Sequence, residues 1–308
     1  MPVKIKINWD NENIVSESVR IYRADTTFTS ATLPPLLVEI LGDVYEYEDL
    51  TTAVNETYFY MLSTKLGERE VFSDCYSVLA APVPPDPHFN TVTLLMQFDN
   101  ALPLVDSVSG ATWELSGDAF IDTSDKMFAS GGALHVSDSV YSYARSPVLT
   151  NMYTPNISNK TLTVEFFFKK TSAIGNAGAV SFQNADNLSE RYAFFMRAGA
   201  TNFNFAIYTT TQSTFIDVAS EKNLNEWVHV AYVETPGNEV KLFIDGVEKR
   251  RVIVGTLPIT FWEKTIATIG HNGLNAESFG GLIDGLRVSR ISRYTANFTP
   301  PNAPFSTH

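Results

Sequence analysis

Apolar and polar side chains alternate along most of this chain with a period of two, and no stretch sustains the 3.6-residue period of an amphipathic helix. Alternation puts successive side chains on opposite faces of a pleated strand, so one face can be buried while the other meets solvent. Strands are predicted over residues 3–9, 19–23, 37–41, 58–62 and 71–79. A longer set follows over 91–99, 133–136, 162–168, 193–197, 203–208, 227–233 and 239–244. Pro236-Gly237-Asn238 and Asp245-Gly246 bracket the last of these, and Asp-Gly is a favoured type I′ hairpin turn. The final run, 282–288, leads into an arm broken by Pro300, Pro301 and Pro304, which cannot extend a sheet. The predicted class is all-β.

Residues 80–88 interrupt the strands with four prolines, a composition that excludes helix and central strand and favours a stiff spacer. The expected organisation is a small β-sandwich over 1–81, a Pro-rich link over 82–90 and a larger sandwich over 91–308.

Composition narrows the partners. The chain has 22 basic and 34 acidic residues, a net charge of −12, which argues against binding a phosphate backbone. The densest basic run, Lys249-Arg250-Arg251, is only three residues long and follows a hairpin turn, as a solvated strand end would. Cys75 is the single cysteine, so no internal disulfide can form. No run approaches the ~18 apolar residues of a membrane span, so membrane insertion is not expected. The alternating start, Met1-Pro-Val-Lys-Ile-Lys-Ile7, lacks the apolar core of a signal peptide, which points to synthesis in the cytosol.

Several motifs carry resemblances. Trp9, the strand from Val19 to Tyr22, and Tyr47 to Leu50 followed by Tyr58 resemble a fibronectin type III domain, including the corner in which a Tyr hydroxyl returns to the backbone. "LLMQFDN", "LTVEFFFKK", "EWVHVAYVETPGNEVKLFIDGVEK", "TIATIGHNG" and "FGGLIDGLRVS" resemble, in order, a laminin-G-like domain of the concanavalin A-like jelly-roll class. The ending "RYTANFTPPNAPF" is similar to that of bacteriophage tail and virion proteins.

The laminin-G resemblance implies a structural calcium near the sandwich rim, for which Asp99 and Asp284 are the matching positions, although Gly285 stands where the family commonly has Glu. Calcium takes six or more oxygen donors. Glycan binding calls for exposed rings and side-chain amides, and Trp262, His271, Asn272 and Asn275 are the candidates, with Trp113 and Tyr294 as further rings. The same frame hosts glucanases, whose Glu-x-Asp-x-x-Glu strand is missing here. Glu165 is the only acid within 162–168. The five histidines show no zinc spacing, and His229 reads as a structural sheet residue.

These features together imply a non-catalytic virion protein of decoration, tail or baseplate type. Its small domain would dock on other virion proteins, and its large one would face host surface glycans or neighbouring subunits. The alternatives are a purely structural cement protein without glycan affinity and, more remotely, a polysaccharide-active enzyme. No coiled-coil heptads are present, so any oligomer would be built through sandwich faces.

Overall fold

The computed structural model describes residues 3–9, 17–42, 44–53, 55–80, 85–98, 102–128, 131–138, 141–152, 160–172, 176–198, 202–209, 216–254, 261–271 and 279–307. It comprises two compact units, Met1–Pro84 and Pro85–His308. Among the described residues there is no α-helix, only a 3-10 turn at Phe89–Thr91, and no helix is long and apolar enough to cross a membrane.

In the small unit, β1 (Val3–Asn8) pairs antiparallel with β4 (Glu46–Thr52) as a two-stranded sheet. A second sheet holds β3 (Leu36–Leu41), β2 (Ser18–Ala24), β5 (Thr57–Leu66) and β6 (Arg69–Phe72) in that order, with β7 (Tyr76–Leu79) also on β5. Ile5, Ile21, Tyr58 and Tyr60 meet between the sheets, with Trp9 packed against them half-buried. The expected corner is present: Tyr58 Oη accepts the Ala53 N–H at 2.8 Å. Cys75 packs half-buried beside the Tyr22, Phe28 and Met61 cluster.

The large unit is a sandwich of two antiparallel sheets. The back sheet runs β11 (Phe120–Asp122), β12 (Ala133–Val136), β23 (Gly281–Ser289), β14 (Leu162–Lys170), β19 (Trp227–Thr235), β20 (Glu239–Ile244) and β21 (Val247–Ile253), with β8 (Val92–Met96) also paired to β23. The front sheet runs β18 (Ile216–Asn223), β17 (Asn202–Thr209), β16 (Arg191–Ala198), β15 (Asn176–Asn184), β22 (Thr265–Ile269), β13 (Tyr143–Arg145), β10 (Thr112–Ser116) and β9 (Leu104–Val105). Alternation decides what lies between them. Val164, Phe166 and Phe168 of β14 meet Phe182 of β15 and Phe194 of β16 in one aromatic-rich core.

The opposite face of the back sheet is also covered. Phe167 packs with Phe128 and Phe305, and Ala231, Val233 and Phe243 lie under Tyr294 and Phe298. The Pro-punctuated arm after β23 therefore caps a sheet face instead of extending an edge. It is latched to the β20–β21 turn, where Asp245 (φ 48°) and Gly246 (φ 74°) both take left-handed conformations, as a type I′ turn demands. Phe298 N–H donates to Gly246 O at 2.9 Å, and Glu248 N–H donates to Asn297 Oδ1 at 2.9 Å. A bulge in β23 has a second consequence. Asp284 lies opposite Phe167 while Arg287 lies opposite Glu165, so one extra residue, with Gly285 at φ 56°, turns both charged side chains to the arm-covered face.

Candidate ligand-binding face

On the outer face of the front sheet, four polar side chains stand in one row across four neighbouring strands. Glu114 of β10 is opposite Arg145 of β13, which is opposite Thr268 of β22, which is opposite Ser181 of β15. Each is flanked in its own strand by residues of the core, such as Ala144 beside Arg145 and Ala267 and Ile269 beside Thr268. Strand spacing of ~4.8 Å makes the row continuous.

Arg145 is the unusual member. It is half-buried, yet among the described residues its guanidinium has neither an ion pair nor a hydrogen bond. Beside it, Thr268 Oγ1 is buried and has no hydrogen-bond partner among the described residues. Ser181 Oγ donates to the His271 carbonyl at 3.0 Å, which ties the chain just after β22 to this face. The His271 ring tilts against Tyr143, with centroids 5.4 Å apart. Burial first, and then the nearby guanidinium groups of Arg191 and Arg145, lower the His271 pKa, so the imidazole is neutral at pH 7. A guanidinium and an aromatic ring, both half-buried, thus lie on one face of an acidic protein with the buried hydroxyl of Thr268. Guanidinium N–H groups suit carboxylate and hydroxyl oxygens, and ring faces suit sugar C–H groups.

The sequence candidates fall in different places. His271 belongs to this face. Trp262 does not: it stacks on Tyr192 (5.0 Å, 20°) at the other end of β22, whose five residues separate the two ends by about 16 Å. Asn272, Asn275 and Asp99 lie outside the described residues. Trp113 is core, 3% exposed, and Tyr294 belongs to the arm. Asp284 is 3% exposed and accepts the Met127 N–H at 3.2 Å. It lines a small cavity with Phe98, Phe128 and Phe305, and among the described residues no three His, Cys, Asp or Glu side chains converge as a metal group. The described residues alone do not complete a calcium shell of six oxygens. Arg145, Tyr143 and Thr268 were not legible as a site, because sheet pairing, and not sequence proximity, unites them.

Glu165, the acid a catalytic reading would need, is fully buried beneath the arm. Arg287 lies 2.8 Å from its Oε1; Tyr294 Oη donates to its Oε2 at 2.7 Å, and His229 Nε2 is 3.3 Å away. Asp86 extends the cluster by pairing with both Arg287 (3.1 Å) and Arg293 (2.8 Å). Desolvation would raise the Glu165 pKa, but Arg287, His229 and Tyr294 outweigh it and hold the carboxyl well below the usual carboxylate range. Such a carboxylate is ionised at neutral pH and shut off from solvent, so it cannot act as a general acid.

A family model described as the concanavalin A-like lectin/glucanases superfamily, of laminin-G type, matches residues 138–296. Among solved structures, the chain is similar to the receptor binding domain of botulinum neurotoxin D, at 14% identity and a TM-score of 0.50, covering 67% of this chain and 50% of that one. It is also similar to domain 4 of AbnA, a GH43 extracellular arabinanase from Geobacillus stearothermophilus, at 18% identity and a TM-score of 0.47, covering 66% of this chain and 93% of that domain. The chain thus spans about half the length of the toxin domain, and identities this low speak to the fold alone. No curated protein sequence matches it.

Proposed function

The chain belongs to the concanavalin A-like lectin/glucanases superfamily, and we propose that it is a non-catalytic binding protein of a bacteriophage particle that presents the front sheet of its large unit to a host-surface glycan. The observation that carries the binding reading is Arg145, a half-buried guanidinium without a partner among the described residues, standing in a row with Thr268 and Ser181 and beside Tyr143 and His271. Keeping such a group partly desolvated and unpaired costs stability, and a ligand oxygen would repay it.

The non-catalytic part is supported by the sequestration of Glu165, which is ion-paired and covered instead of facing a groove. The phage part rests on the resemblance of the ending Arg293-Tyr294-Thr295-Ala296-Asn297-Phe298 to virion proteins, and the small unit is proposed as a fibronectin III-like adaptor to other virion proteins. Calcium between Asp99 and Asp284 is proposed as a structural ion; adding a chelator is then expected to lower the melting temperature, and an unchanged value removes the ion from the account. Two measurements test the whole reading. Mass spectrometry of purified particles should find the chain, and a bacterial glycan array should retain it. A chain missing from every particle preparation, or retained by no glycan, defeats the corresponding half.

A further inference from the structure

The sheet formed by β1 and β4 is too narrow for the five-stranded sheet it faces. Among the described residues, β1 pairs only with β4, so its other edge has no strand beside it. The phase of that pairing is fixed by Trp9 N–H, which donates to Tyr45 O at 3.1 Å. Amides of an antiparallel strand alternate in direction, so Ile5, Ile7 and Trp9 turn their backbone groups to β4 while Lys6 and Asn8 turn theirs to the open edge. Lys6 does not guard that edge with its charge, because its Nζ is held by Glu46 of β4 at 2.7 Å.

Along the same edge runs a cleft of about 630 Å³. One wall is Lys6 to Trp9. The other is Val71, Tyr76 and Val78 of β6 and β7, and the floor is Val19, Tyr60 and Leu62. Val71 is 66% exposed and Tyr76 60%, so apolar wall is left open to solvent. Trp9 Nε1 is buried and has no hydrogen-bond partner among the described residues. A strand rises ~3.3 Å per residue, with ~4.8 Å between strands and ~10 Å between sheets. Each residue therefore fills roughly 160 Å³, and the cleft holds about four.

We propose that the small unit is completed by strand addition. An extended segment of another polypeptide, alternating apolar and polar residues, enters between β1 and β7. It pairs its backbone with Lys6 and Asn8, sets its apolar side chains against Val71, Tyr76 and Val78, and offers a carbonyl to Trp9 Nε1. Backbone pairing supplies affinity in such an arrangement, and the side-chain pockets supply selectivity. A second copy of this chain is the poorer occupant, because every apolar strand among the described residues is already paired in its own sheet and could be donated only by unfolding. The cleft lies wholly within the small unit, so its occupancy does not depend on what the large unit binds.

The test uses the full chain with the alternating segment Thr-Val-Thr-Ile-Thr-Val fused ahead of Met1 through a flexible Gly-Ser linker, which raises its effective concentration to about millimolar. A control carries the same residues reordered as Val-Val-Ile-Thr-Thr-Thr. Amide hydrogen exchange at Lys6 and Asn8 is expected to slow at least about tenfold with the alternating segment only, and Val71→Asp in the same fusion is expected to restore fast exchange. Equal exchange in both fusions overturns the proposal. So does protection already present in the unfused chain: if it grows with protein concentration a second copy fills the cleft, and if it does not the chain fills its own.

Discussion

Glu165 and Arg287 face each other across β14 and β23 at 2.8 Å, both buried beneath the C-terminal arm. The pair exists because a bulge at Gly285 brings Arg287 into register with Glu165 on the covered face. Tyr294 of the arm then supplies a hydroxyl to the same carboxylate, so the arm is bonded to the charge cluster it hides.

Breaking this pair should be expensive. Arg287→Met leaves Glu165 buried beside a weaker set of donors, and removal of one partner of a buried ion pair costs about 3–5 kcal/mol. Denaturant unfolding of the large-unit transition should show that loss. A cost under about 1 kcal/mol would mean that the arm does not exclude water from Glu165.

Acid should act on the same group. The folded-state pKa of Glu165, held down to about 2 from 4.5, lies below its unfolded value. Its contribution is therefore complete above about pH 4.5 and is lost as pH falls toward 2, with a magnitude on the order of 3 kcal/mol. Asp86 shifts in the same direction: burial opposes ionisation there, and Arg293 and Arg287 overcome it. Unfolding midpoints measured from pH 6 to pH 3 should fall more steeply in the native chain than in Glu165→Gln. Parallel curves would contradict the assignment.

Gly246 is where the arm meets the hairpin. Its φ is 74°, and a Cβ there would stand 1.9 Å from the Phe298 carbonyl oxygen. Gly246→Ala should cost at least about 1–3 kcal/mol through backbone strain alone and should also speed exchange of the Phe298 amide as the arm lifts. Unaltered stability and exchange would show that the arm is not latched at this turn.

Much of this frame was legible in the chain because it is written in local patterns. The Asp245-Gly246 turn, the alternation of β14 and the Tyr58 corner each depend on residues close in sequence, and each has its expected geometry. The front-sheet row was not legible. Arg145 and Thr268 are 123 positions apart and meet only through the β13–β22 pairing. The arm misled in another way: its prolines exclude it from sheet edges, but nothing local says that it will cover Phe167, Phe243 and Glu165. Glu165, an acid inside the run Val164 to Phe168, is the available hint, since a buried carboxylate needs a partner. Asp86 sat in a stretch expected to be linker, yet it pairs with two arginines of the large unit.

The central claim is that the outer face of the front sheet binds a glycan through Arg145. The most direct measurement is retention of the full chain and of Arg145→Ala on one bacterial surface glycan, with melting temperatures recorded for both. Binding by the native chain that drops at least about tenfold in the variant, at an unchanged melting temperature, is the expected result; a tenfold loss corresponds to about 1.4 kcal/mol. Equal retention of the two proteins, or no retention of either, would contradict it.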